Sequence, residues 1–106
     1  MMNVNQYDQQ LNKMMEFPKE GIFSKVILKT QNVNITLMCL AKGADIDTHT
    51  STKNGCVHVL KGKGEFMLFD KRIVLEPGVF IRMPENAPHS LNAQEDLAIL
   101  LTLYVS

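Results

Sequence analysis

Charge of one sign, paired cysteines and long apolar runs are all missing from this sequence, and each gap removes a class of function. Eleven basic residues balance eleven acidic ones, so the formal net charge is zero. Lysines such as Lys25, Lys29 and Lys42 are scattered over the chain. Neither nucleic acid nor a membrane surface is therefore an expected partner. No apolar stretch approaches the roughly 20 residues needed to span a bilayer. The opening Met1-Met2-Asn3-Val4-Asn5-Gln6 lacks the charged head and apolar run of a signal peptide. Only two cysteines occur, Cys39 and Cys56, without Cys-x-x-Cys spacing. A reducing, cytoplasmic compartment is the expectation. Repeats, linkers and low-complexity segments are lacking too. What is there, 106 residues with 45% hydrophobic and 21% charged, has the composition and size of one globular domain.

The first stretch differs from the rest. Tyr7, Leu11, Met14 and Met15 have the i, i+4, i+7, i+8 spacing of one helical face. Phe17-Pro18 then forces extended backbone and ends any helix. Residues 1–20 are accordingly expected to form a short helix or arm packed on the chain's own domain, with residues 21–106 as that domain. From Ile22 onward the period is two. Val33, Ile35, Leu37 and Cys39 alternate with Asn34 and Thr36, which predicts a strand buried on its odd-numbered side. Phe23–Leu28 precedes it across Gln31-Asn32, as in a hairpin. Cys56–Leu60, Gly62-Lys63-Gly64 and Glu65–Phe69 read as a second hairpin. Further turns fall at Asp70-Lys71 and Pro77-Gly78. Leu97 to Val105 is apolar on both faces and should be a central strand. Short strands bounded by Gly, Pro or Asx predict an all-β sandwich or barrel.

Two histidines close similar glycine-led segments, His49 after Gly43 and His89 after Gly78. Forty residues separate them, and a fold that joins distant strands would make them half of a transition-metal site. From about Lys42 to Asn92 the chain resembles the cupin superfamily, whose members are small jelly-roll barrels of two antiparallel sheets. Gly43, five residues and His49 match the start of the first family motif. Ser51 stands where that motif has its second histidine, and Gly55, seven places before Gly62, falls on its glutamate. Gly78, Pro84 and His89 match the second motif, with Asn86 in place of a glycine and Asn92 one place early. Val57-His58-Val59-Leu60-Lys61-Gly62-Lys63-Gly64 resembles the family's strand and turn.

The resemblance implies a barrel whose metal ligands would be both histidines of the first motif, its glutamate and the histidine of the second. Of these the chain keeps His49 and His89. Two imidazoles make a weak site on their own, since protein-only sites use three or four donors. A divalent iron, manganese, nickel, copper or zinc ion is therefore expected to be weakly bound or absent. In a regular strand Asp45, Asp47, His49 and Ser51 would share a face, making Asp47 a candidate third ligand. The favoured alternative places both aspartates, and Glu85, in solvent. His58 should point away from the interior face of Gly55, Val57 and Val59, in a structural or subunit-contact role. Without a ligand, His49 and His89 would be buried groups hydrogen-bonded to each other, to Ser51 or to water. Glycine at position 55 opens volume, so a pocket lined by His49, Ser51, Gly55, Val57 and His89 is expected to take a small organic molecule. Binding or sensing is thus favoured over a metal-dependent dioxygenase or isomerase, and over docking of another protein. Exposed sheet edges make a homodimer the expected assembly, its join covered by the arm from Asn3 to Phe17.

Overall fold

The strand with apolar residues on both faces lies at the centre of the larger sheet. The computed structural model describes residues 7–105. After α1 (Leu11–Met14) come β1 (Ile22–Lys29), β2 (Val33–Leu40), β3 (Asp45–His49), β4 (Asn54–Lys61), β5 (Gly64–Leu68), β6 (Lys71–Leu75), β7 (Phe80–Met83), β8 (His89–Ala93) and β9 (Leu97–Tyr104). One sheet has the order β1-β2-β9-β4-β7 and the other β3-β8-β5-β6. All pairings are antiparallel. This is the expected two-sheet jelly-roll barrel.

Between the sheets lies the main core, with Leu40, Val57, Phe66, Leu75, Leu97 and Ile99 each at most 1% exposed. Burying each such side chain contributes about 1.5–3 kcal/mol. The alternation Gly55, Val57, Val59 buried against Cys56, His58 and Leu60 partly exposed turns His58 outward, as expected. There its ring lies 6.4 Å from that of Phe80.

Two expectations are corrected. β4 and β5 do not form a hairpin: β4 pairs with β7 and β9, and β5 with β6 and β8. The Gly62-Lys63-Gly64 corner carries the chain from one sheet to the other. Strand β2 is also buried on both faces. Leu40, with Met38 packed beside it, faces the main core, whereas Leu37 and Cys39 belong to a second cluster with Ala98. Met14, Met15 and Phe17 cover that second cluster, and Lys61 Nζ stands 5.5 Å from the Phe17 ring centre. Met14, Met15 and Phe17 thus lie against β2 and β9. The arm's helix is a single turn, and Tyr7, 86% exposed, takes no part in the predicted helical face. Residues 1–6 of the expected arm lie outside the described residues.

Candidate functional site

A bulge in β3 builds the site. Opposite β8, Asp45 pairs with Asn92 and Ile46 with Leu91, and then the register shifts so that His49 faces His89. Three steps on β3 answer two on β8, which places His49 on the inward side with Ile46. A regular strand would have put His49 with Asp45 and Asp47, and the bulge overturns that expectation. Both aspartates are exposed, and Asp47 offers His49 its backbone carbonyl rather than its carboxylate. Among the described residues no group of three His, Cys, Asp or Glu side chains converges as a metal site.

The two imidazoles meet with ring centres 4.1 Å apart and planes tilted by 59°. Each is fixed by the same device. His49 Nδ1 lies 2.8 Å from the Asp47 carbonyl and His89 Nδ1 lies 2.9 Å from that of Ala87. A carbonyl only accepts, so each neutral ring carries its proton on Nδ1 and presents Nε2 as a lone pair. Phe66 stacks on His89, with centres 5.9 Å apart and planes within 5° of parallel. Beside the pair is a cavity of about 80 Å³, walled by Met38, Ile46, Val57, Phe66, Met83, Leu91, Ile99 and Leu101. His89 is 8% exposed, deep in the wall, while His49 is exposed at the mouth.

The other expected pocket residues divide. Val57 lines the cavity, but Ser51 is not part of its wall. Ser51 Oγ accepts the Lys53 N–H at 3.1 Å and its carbonyl accepts that of Asn86 at 2.7 Å, so it organises a turn. Gly55 does not open volume into the cavity. A Cβ there would sit 2.7 Å from the Met83 Cε and 3.2 Å from the Leu103 Cδ2, so the methionine methyl occupies the space an acid would need. Glu85 is exposed, its backbone N–H donating to Asn54 Oδ1 at 3.2 Å. Phe66, Met38 and Met83 were not anticipated as site residues. Inward strand parity was the signal for Phe66 and Met83, each two places after a buried residue, Gly64 and Ile81.

Burial lowers the His89 pKa from its ordinary value. The Ala87 carbonyl opposes this, and charge on His49 adds to it. The unfolded chain therefore takes up the proton more readily than the folded one. The stability this group contributes is present in full above about pH 6.5, the ordinary value, and is lost as pH falls through the depressed value. Denaturant midpoints measured from about pH 7 down to pH 5 should fall, and His89→Gln should flatten that slope. An unchanged slope in the variant would remove His89 as its source.

The Cupin domain family profile matches residues 36–104, and the chain belongs to this family. No curated protein matches the sequence. A conserved protein of unknown function from Streptococcus pyogenes has a similar structure, with TM-score 0.87 and 24% identity over 100% of this chain and 91% of that one. A cupin superfamily protein from Desulfitobacterium hafniense is also similar, with TM-score 0.87 and 17% identity over 95% and 93%. A variant of the salicylate 1,2-dioxygenase from Pseudoaminobacter salicylatoxidans shares the fold at TM-score 0.74 and 15% identity, over 89% of this chain and 30% of that enzyme. At these identities the likeness is one of fold.

Proposed function

We propose that this chain binds a small organic molecule in the barrel cavity. One observation carries the reading: two oriented Nε2 lone pairs border an otherwise apolar space of about 80 Å³. That volume suits the head of a ligand with few heavy atoms, an apolar body and a hydrogen-bond donor for the histidines. The exposed His49 gives a longer ligand a way out. Chelator-treated protein titrated with phenol and short-chain alcohols should show shifted imidazole ¹⁵N signals for both histidines, and His89→Ala should abolish the response. Silence of both rings to every fragment would overturn the reading.

A metal-dependent dioxygenase or isomerase is the second reading. Histidines that donate Nδ1–H to a carbonyl and free Nε2 have the arrangement of metal ligands. The donor set does not fit a hard divalent ion, however, because two imidazoles stand without a carboxylate. A cytoplasmic homodimer belongs to the same proposal. It is supported by the free thiols of Cys39 and Cys56 and by the open edges at β1 and β7, where Val26 is 39% and Phe80 64% exposed. Among the described residues no helix is long and apolar enough to cross a membrane.

A further inference from the structure

The two sheets leave one side of the barrel unclosed. β7 pairs with β4 alone and β6 with β5 alone, so each ends its sheet on a free edge. An open cleft of about 490 Å³ lies between these edges, with Ile73 and Val74 on one bank and Phe80 and Arg82 on the other. Val74 is 60% and Phe80 64% exposed. Lys71, Arg72 and Arg82 line the cleft, and no acid does. Arg72 is paired with Glu65, but among the described residues Lys71 and Arg82 have no carboxylate partner.

The backbone of β7 is turned toward the same cleft. Val59 donates its N–H to the Val79 carbonyl at 2.9 Å. His58 and Phe80 are therefore a pair flanked by hydrogen bonds rather than joined by them. The Phe80 N–H and C=O thus point away from β4 to the free edge, and alternation gives Arg82 the same direction. Unpaired edge groups of this kind are a template for one more strand.

We propose that the β7 edge takes up an extended acidic peptide of another protein as a further strand. Backbone and charge together select that occupant. The main-chain groups of Phe80 and Arg82 supply affinity, while their side chains read an apolar residue and an acidic one two places apart. A second copy of this chain is disfavoured, because a twofold pairing would bring the same three cations together. Arginine on an edge strand repels its own kind and receives an acid. The inference does not depend on the barrel cavity, and β1 remains as the edge for a homodimer.

The test titrates the full ¹⁵N-labelled chain with an acetylated, amidated hexapeptide whose two central glutamates are flanked on each side by isoleucine and valine. The amide signals of Phe80 and Arg82 should shift together and gain protection from solvent exchange. Added salt should weaken binding. Arg82→Gln should weaken it roughly fivefold, the upper reach of an exposed ion pair, and Arg82→Glu should abolish it. Phe80→Ala should cost about as much as Arg82→Gln, through the lost cross-strand contact. Phe80→Pro should abolish binding while melting like Phe80→Ala, since it removes an N–H that the β4 ladder does not use. If the proline variant fails to fold, amide protection in the unaltered chain decides. Equal binding of a peptide with lysines for the glutamates would overturn the proposal, as would amides that stay unmoved. Full competition by N-acetylglutamate amide would reduce the cleft to an anion contact and sink the added strand. Protection that grows with protein concentration alone would assign the edge to a second copy instead.

Discussion

Gly62→Ala is expected to lower the melting temperature by roughly 15–30 °C, the equivalent of about 3–5 kcal/mol in a domain of this size. Two costs combine. Gly62 has φ of +91°, which an L side chain adopts only at about 1–2 kcal/mol. Its added Cβ would also lie 2.0 Å from the Asp96 carbonyl oxygen and 2.9 Å from the Leu97 Cα, both backbone atoms with nowhere to go. Relief requires opening the corner, where the Lys63 carbonyl accepts N–H groups of Gln94 at 2.9 Å and Glu95 at 3.1 Å. The Asp96 carboxylate also accepts the Lys42 N–H there, at 2.9 Å. The gain from a stiffer unfolded chain, about 0.4–1 kcal/mol, is too small to compensate. Gly78 supplies the control, having φ of +95° and nothing within 4 Å of its Cβ position. Thermal melts of Gly78→Ala should show only the conformational part of the cost. Equal losses in the two variants would rule out the backbone collision.

The second large effect lies at Phe66. Its ring is 1% exposed and bridges the core and the site by stacking on His89. Phe66→Ala should cost about 3–5 kcal/mol, from lost burial and the void left behind. Two further readouts separate a site effect from general weakening. Water reaching His89 would relieve the burial that depresses its pKa, so its imidazole titration should move back up toward the ordinary value. Benzene, by filling the void and expelling that water, should restore part of the lost stability. Phe66→Leu keeps most of the volume and serves if the alanine variant fails to fold. A loss below about 1 kcal/mol, or a His89 titration that does not move, would show that the ring does not shape the histidine's surroundings.

Much of this architecture was legible in the chain. The period of two, the apolar faces of residues 97–104 and the turn residues define a two-sheet barrel, and the motif spacing brings His49 and His89 to one place. The misreadings have local causes. Alternation in β2 selects Leu37 and Cys39, yet a strand covered by an arm on one side and a core on the other is buried twice. Gly-Lys-Gly has the chemistry of a tight turn, and the same glycine freedom serves a crossing between sheets. The bulge at Asp47 and Thr48 has no residue signature, since it arises from pairing with β8. It alone decides that His49, and not Asp47, faces inward. At position 55 the sequence shows an acid replaced by nothing, whereas the space belongs to Met83, 28 positions further on. Side chains that fill a gap from another strand leave no mark at the gap itself.

The central place of β9 has a consequence for how the protein is made. This strand is ninth in chain order, yet it joins β2 and β4, which are not hydrogen-bonded to each other. Residues 33–40 must await 97–104 before their inner edge is paired. Vectorial synthesis therefore delivers four strands of the larger sheet before the one that unites them. Contacts so distant in sequence close slowly, and bare strand edges invite pairing with other chains in the interval. Until Tyr104 clears the ribosomal tunnel, β2 and β4 each hold an open row of backbone donors and acceptors.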